Sequence, residues 1–125
     1  MSQYSKGFSL DISSQRLQEL ENLLRSRRDR PVHEMVADYE EAVDLALNSG
    51  RGDLAAWLID SYLRFFESPV PYGVRFFCDF KTATRYWRDA NLDEAEMKYL
   101  SCRDLALENK QNRDAARCNM ALGVI

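Results

Sequence analysis

Long stretches without a helix breaker constrain this chain more than any other feature. Its five glycines and three prolines fall at Gly7, Pro31, Gly50, Gly52, Pro69, Pro71 and Gly73, and only Gly123 lies inside an apolar periodic run. A β-sandwich or barrel would need a turn every ~8–12 residues. The uninterrupted segments between the breakers are too long for that, so an all-α domain is expected. With 125 residues, 46% hydrophobic and 30% charged, the chain can build one core, and disorder is excluded.

The spacing of apolar residues predicts about six antiparallel helices stacked as helical hairpins. Residues 1–10 read as a polar N-terminal segment, and 11–125 as a single all-helical domain. Asp11, Ser13 and Ser14 offer N-cap oxygens, after which Leu17, Leu20 and Leu24 share one face. Pro31 suits the first turn of a second helix, whose stripe is Val32, Met35, Val36, Tyr39, Val43, Ala46 and Leu47. Gly50 stops that helix, and Asp53 is expected to cap a third carrying Leu54, Trp57, Leu58, Tyr62, Phe65 and Phe66. The proline-rich stretch 68–73 marks a change of direction between a hairpin region, 11–67, and a second region, 74–125. A fourth helix then carries Phe76, Phe77, Phe80, Ala83, Tyr86 and Trp87. A fifth brings Ala95, Tyr99, Cys102 and Ala106 to one face, and a sixth starts near Arg113.

Net charge is −3, which argues against binding nucleic acid by bulk attraction. The middle, residues 34–67, is acidic, and a small basic cluster comprises Arg25, Arg27, Arg28 and Arg30. Three cysteines without CxxC spacing support neither a disulfide framework nor a zinc knuckle. The opening MSQYSKGFSL lacks a signal peptide's apolar core, and no run is long enough for a membrane span. A cytoplasmic or nucleocytoplasmic protein is expected.

Enzyme signatures are missing. His33 is the single histidine, so paired-histidine metal sites cannot form and no metal or other cofactor is expected. No phosphate-binding glycine loop occurs; Gly50-Arg51-Gly52 reads as a helix junction. Glu40-Glu41 and Asp93-Glu94 read as solvated helix faces.

The stretch from Thr82 to Ile125, extending back to about residue 76, resembles a tetratricopeptide repeat followed by the first helix of the next repeat. Ala83 and Tyr86 stand at the small and aromatic positions of the family's helix A. Asn91-Leu92-Asp93-Glu94-Ala95 is similar to the start of its helix B, Tyr99 and Cys102 continue it, and Leu122-Gly123 is similar to the next helix A. The interval from Ala83 to Gly123 is 40 residues, against ~34 in the common repeat. Asn112 stands where the family has a helix-breaking proline, and Asp79 where a large aromatic is common. Gly123 is expected to mark a close helix contact.

The resemblance implies a non-enzymatic protein–protein interaction module, an adaptor or chaperone-like protein holding a peptide segment or partner subunit in a helical groove. The family's ligand-lining positions fall on Phe77, Phe80, Thr84, Trp87, Arg88, Arg117 and Met120, an aromatic groove rimmed by arginines. It lacks the asparagine and lysine set that clamps a terminal carboxylate. Met120, Leu122, Val124 and Ile125 are expected to support self-association, giving a homo-oligomer through the C-terminal helix. Two other readings compete. One is a small acidic regulatory or inhibitory protein acting on a nucleic-acid enzyme or sensor through Glu34, Asp38, Glu41 and Asp44. The other is nucleic-acid contact through the Arg25–Arg30 cluster.

Overall fold

The computed structural model describes residues 2–26 and 29–125, with side chains from Ile12 onward. It consists of six helices, α1 (Ser2–Ser26), α2 (Val32–Asn48), α3 (Gly52–Phe65), α4 (Tyr72–Arg88), α5 (Leu92–Glu108) and α6 (Asn112–Val124), and no strand among the described residues. The all-α expectation holds. The chain divides into two compact units, Met1–Leu58 and Ile59–Ile125, the division falling within α3.

In the first unit α1 packs on α2. Leu17, Leu20 and Leu24 are all but fully buried, as are Tyr39, Ala42, Val43 and Ala46 of the facing stripe. Asp11, Ser13 and Ser14 do not stand at the helix start expected of them, because α1 already runs from Ser2. No proline precedes Pro31, and Gly7 falls within α1 without ending it. The side chains of the segment expected to be a polar lead, 1–10, lie outside the described residues. Pro31 sits one position before α2, where its carbonyl accepts the backbone N–H groups of Glu34 and Met35 at 3.0 and 3.2 Å. The expected Asp53 cap is displaced into the first turn of α3, where a carboxylate still favours the positive end of the helix dipole.

Three connections share one geometry. After α2, α4 and α5 the chain turns through three residues whose middle member, Gly50, Ala90 or Lys110, has φ of 72°, 63° or 58°. In each, the next residue's N–H reaches the carbonyl five positions back: Arg51 to Ala46, Asn91 to Tyr86 and Gln111 to Ala106, all at 2.8 Å. This closure satisfies the last helical carbonyls and reverses the chain. Glycine occupies the left-handed position once; alanine and lysine hold it at a backbone cost of about 1 kcal/mol. Lys110→Gly is therefore expected to stabilise the protein by about 0.5–1 kcal/mol. Gly50→Ala should destabilise it by a similar amount, although a Cβ at Gly50 would meet nothing within 4 Å. Urea unfolding of both variants checks the pair.

In the second unit α5 packs on both α4 and α6. The interfaces are built from small side chains: Ala83, Ala95, Cys102, Ala106 and Cys118 are fully buried and Ala115 nearly so. Close approach of the helices follows. Phe76 closes one cluster with Cys102, Leu105 and Cys118, and Tyr99 closes another with Ala83 and Ala95. Gly123 takes no part in this, contrary to the close contact expected of it. A Cβ there would meet open space, since the last turn of α6 turns that position outward.

Candidate protein-binding face

Chemistry on α4 begins with an aromatic run at helical spacing, Tyr72, Phe76 and Phe80. Successive ring centroids lie 6.0 and 5.6 Å apart. Residues four apart stack along one side of a helix. Three-residue reversals before and after α5 bring α6 alongside α4 running in the same direction. The contacts between the two advance together: Tyr72 with Asp114, Phe76 and Phe80 with Arg117, and Ala83 and Tyr86 in the cluster that Ala121 and Leu122 join.

Two polar contacts pin this pairing. The Tyr72 hydroxyl donates to Asp114 Oδ2 at 2.8 Å. Burial, and then the adjoining carboxylate, push that phenol well above its usual range. The Arg117 guanidinium lies 4.8 Å from the Phe80 ring centroid and 5.5 Å from that of Phe76, with Asp114 Oδ1 at 3.5 Å. An exposed guanidinium held over aromatic rings is suited to recognising carboxylates.

The expected site residues separate into three groups. Trp87, Arg88, Arg117 and Met120 are exposed, Met120 by 74% and Trp87 by 42%. Phe80 and Thr84 instead hold the face together. Phe80 packs against both clusters and meets Tyr99 edge-on at 5.3 Å. The Thr84 hydroxyl lies 3.0 Å from the Phe80 carbonyl and 2.9 Å from the Tyr99 hydroxyl. Phe77 turns to α3, edge-on to Tyr62 at 6.0 Å, with the Lys81 ammonium 5.5 Å from its ring. Of the expected self-association set, Leu122 packs against the Ala83–Tyr99 cluster, while Val124 is 69% exposed and Ile125 partly so.

No family model, curated protein or solved structure matches the chain. Among the described residues, the remaining charged candidates are engaged within the molecule. Arg16 grips Glu41 with two hydrogen bonds of 2.8 and 2.9 Å, which hold that carboxyl below its ordinary range. Arg30 pairs with Asp38 and lies 3.9 Å from Glu34, so the acidic face of α2 is largely matched by arginine. Arg25 bonds Glu21 at 3.0 Å and stacks 4.0 Å over Trp57. Arg27 and Arg28 lie outside the described residues.

Sequence reasoning overlooked Tyr72 and Asp114. Tyr72 was assigned to the proline-rich connection, yet it is the first residue of α4. The spacing of 72, 76 and 80 was the available signal. Among the described residues no group of three or more metal-ligating side chains occurs, and no helix is long and apolar enough to cross a membrane.

Proposed function

We propose that this protein is a non-enzymatic interaction module, adaptor or chaperone-like, with a tetratricopeptide-like arrangement of α4, α5 and α6. Its α4/α6 face takes a segment of a protein partner that carries acidic and apolar groups. The observation that carries the reading is Arg117 laid over Phe76 and Phe80, on a pair of helices that also expose Trp87 and Met120. Aromatic and arginine anchors of this kind dominate binding energies where they occur. Three cysteines that form no disulfide suit a reducing compartment, cytoplasmic or nucleocytoplasmic.

Selection from a random peptide library tests it. Sequences enriched on the wild type should combine Asp or Glu with apolar residues. A Trp87→Ala/Arg117→Ala/Met120→Ala variant should bind them at least about tenfold more weakly, or about 1.4 kcal/mol. All three positions are exposed, so the helices should stay intact; Phe80→Ala would confuse binding with packing. Equal binding to both proteins overturns the assignment.

A further inference from the structure

Residues 59–125 carry a second exposed apolar surface, on α5. This helix turns Ala95, Tyr99, Cys102 and Ala106 inward, and helical spacing places Met97, Leu100 and Asp104 on its opposite side. Met97 is 71% exposed and Leu107 is also exposed. A shallow groove of about 490 Å³ opens here between α4 and α5, its lining including Arg75, Met97, Leu100, Asp104 and Glu108. Its charged surroundings are acidic on balance, with Asp93, Glu96, Asp104 and Glu108 exposed against the one exposed cation of the lining, Arg75. The α4/α6 face has the converse pattern, with Trp87, Met120 and Val124 set among exposed Arg88, Arg113 and Arg117.

We propose that the acidic, apolar side of α5 in one copy of this chain docks on the cationic α4/α6 face of a second copy. The inference rests on the reading that the α4/α6 face takes an acidic, apolar segment, and it names that segment. Opposite charges surround the two apolar centres, which favours their meeting, whereas either face set against its own kind would place like charges together. The contact is therefore heterologous. Each copy that uses one face leaves the other open, so association proceeds head to tail.

Light scattering on the purified chain reads this directly. At low salt the wild-type mass should rise with concentration past that of two chains, and fall as salt screens the rims. Met120→Glu spoils the α4/α6 face and Met97→Lys the α5 face, each at a position too exposed to disturb folding. Each variant alone should stay monomeric, with association at least tenfold weaker. Mixed in equal amounts, they should form a dimer and nothing larger, because one intact pair of faces remains. A wild type that keeps the mass of one chain up to its solubility limit overturns the proposal. So do variants that associate like the wild type, or a mixture no larger than its components. A monomeric wild type that still selects acidic, apolar peptides removes the self-docking alone; failure of the peptide selection removes the reading of the α4/α6 face.

Discussion

Phe76→Ala is expected to destabilise residues 59–125 by about 3–4 kcal/mol, the range for emptying a large aromatic site in a packed core. Phe76 is 3% exposed and lies against Cys102, Leu105 and Cys118, with Tyr72 and Phe80 packed on the same cluster. Little else can fill the space, because two of its three buried neighbours, Cys102 and Cys118, are small. The loss should reach the binding face as well, since the ring is part of the bed on which Arg117 lies. Guanidinium unfolding followed by Trp87 fluorescence in a Trp57→Phe background would measure it within the second unit. Trp87→Phe, at a partly exposed ring, should change stability by less than about 1 kcal/mol. A Phe76→Ala effect below about 1 kcal/mol would contradict the packing described for α4, α5 and α6.

The second large effect concerns the thiols. Cys78, Cys102 and Cys118 are buried and form no disulfide, and burial pushes the Cys102 and Cys118 thiols above the ordinary range. Only the thiolate attacks an alkylating reagent. Alkylation of the native protein at pH 8 should therefore run at least about a hundredfold slower than in the unfolded chain, where such a thiol has a pKa near ~8.5. The same shifts make stability depend on pH in one direction. Folding keeps these groups neutral, so their contribution is fully present below the unfolded pKa and is lost as pH rises beyond it. Tyr99, also raised by burial, adds to the loss at still higher pH. Stability should begin to fall above about pH 9, and a Cys102→Ala/Cys118→Ala variant should show a shallower fall. Rapid labelling of all three cysteines in the native state would be incompatible with the buried interface of α5 and α6.

Much of the fold was legible because local signals agreed with tertiary demands. Leu17, Leu20 and Leu24 recur at the spacing of one helical face and are buried as that spacing requires. Pro31 and Gly50 lie where an absent N–H and a left-handed backbone are useful. Helix α5 was harder to read, because apolar residues surround it and amphipathic spacing alone does not separate its two sides. Ala95, Tyr99, Cys102 and Ala106 were recognised as a face, while the opposite exposure of Met97 and Leu107 was not. Gly123 misled in the other direction. Glycine in a helix has two explanations, tolerance in open space and close approach of a neighbour, and nothing local distinguishes them.

The candidate face shows the same division. Trp87, Arg88, Arg117 and Met120 were identified from a repeat pattern and are exposed, whereas Phe80 and Thr84, named on the same grounds, are occupied in holding α4 to its neighbours. A side chain facing solvent and one facing a helix 37 residues later in the chain, as Phe80 faces Arg117, have equivalent positions on an isolated helix. The sequence by itself determined the helical class, the helix count and most reversals, because breaker positions and apolar spacing act within a few residues of chain. Only the tertiary structure decided that Arg117 rests on Phe76 and Phe80, that Asp114 holds Tyr72, and that α5 turns Met97 outward. Those contacts depend on which helices lie side by side, a choice made by small-residue packing across the whole unit.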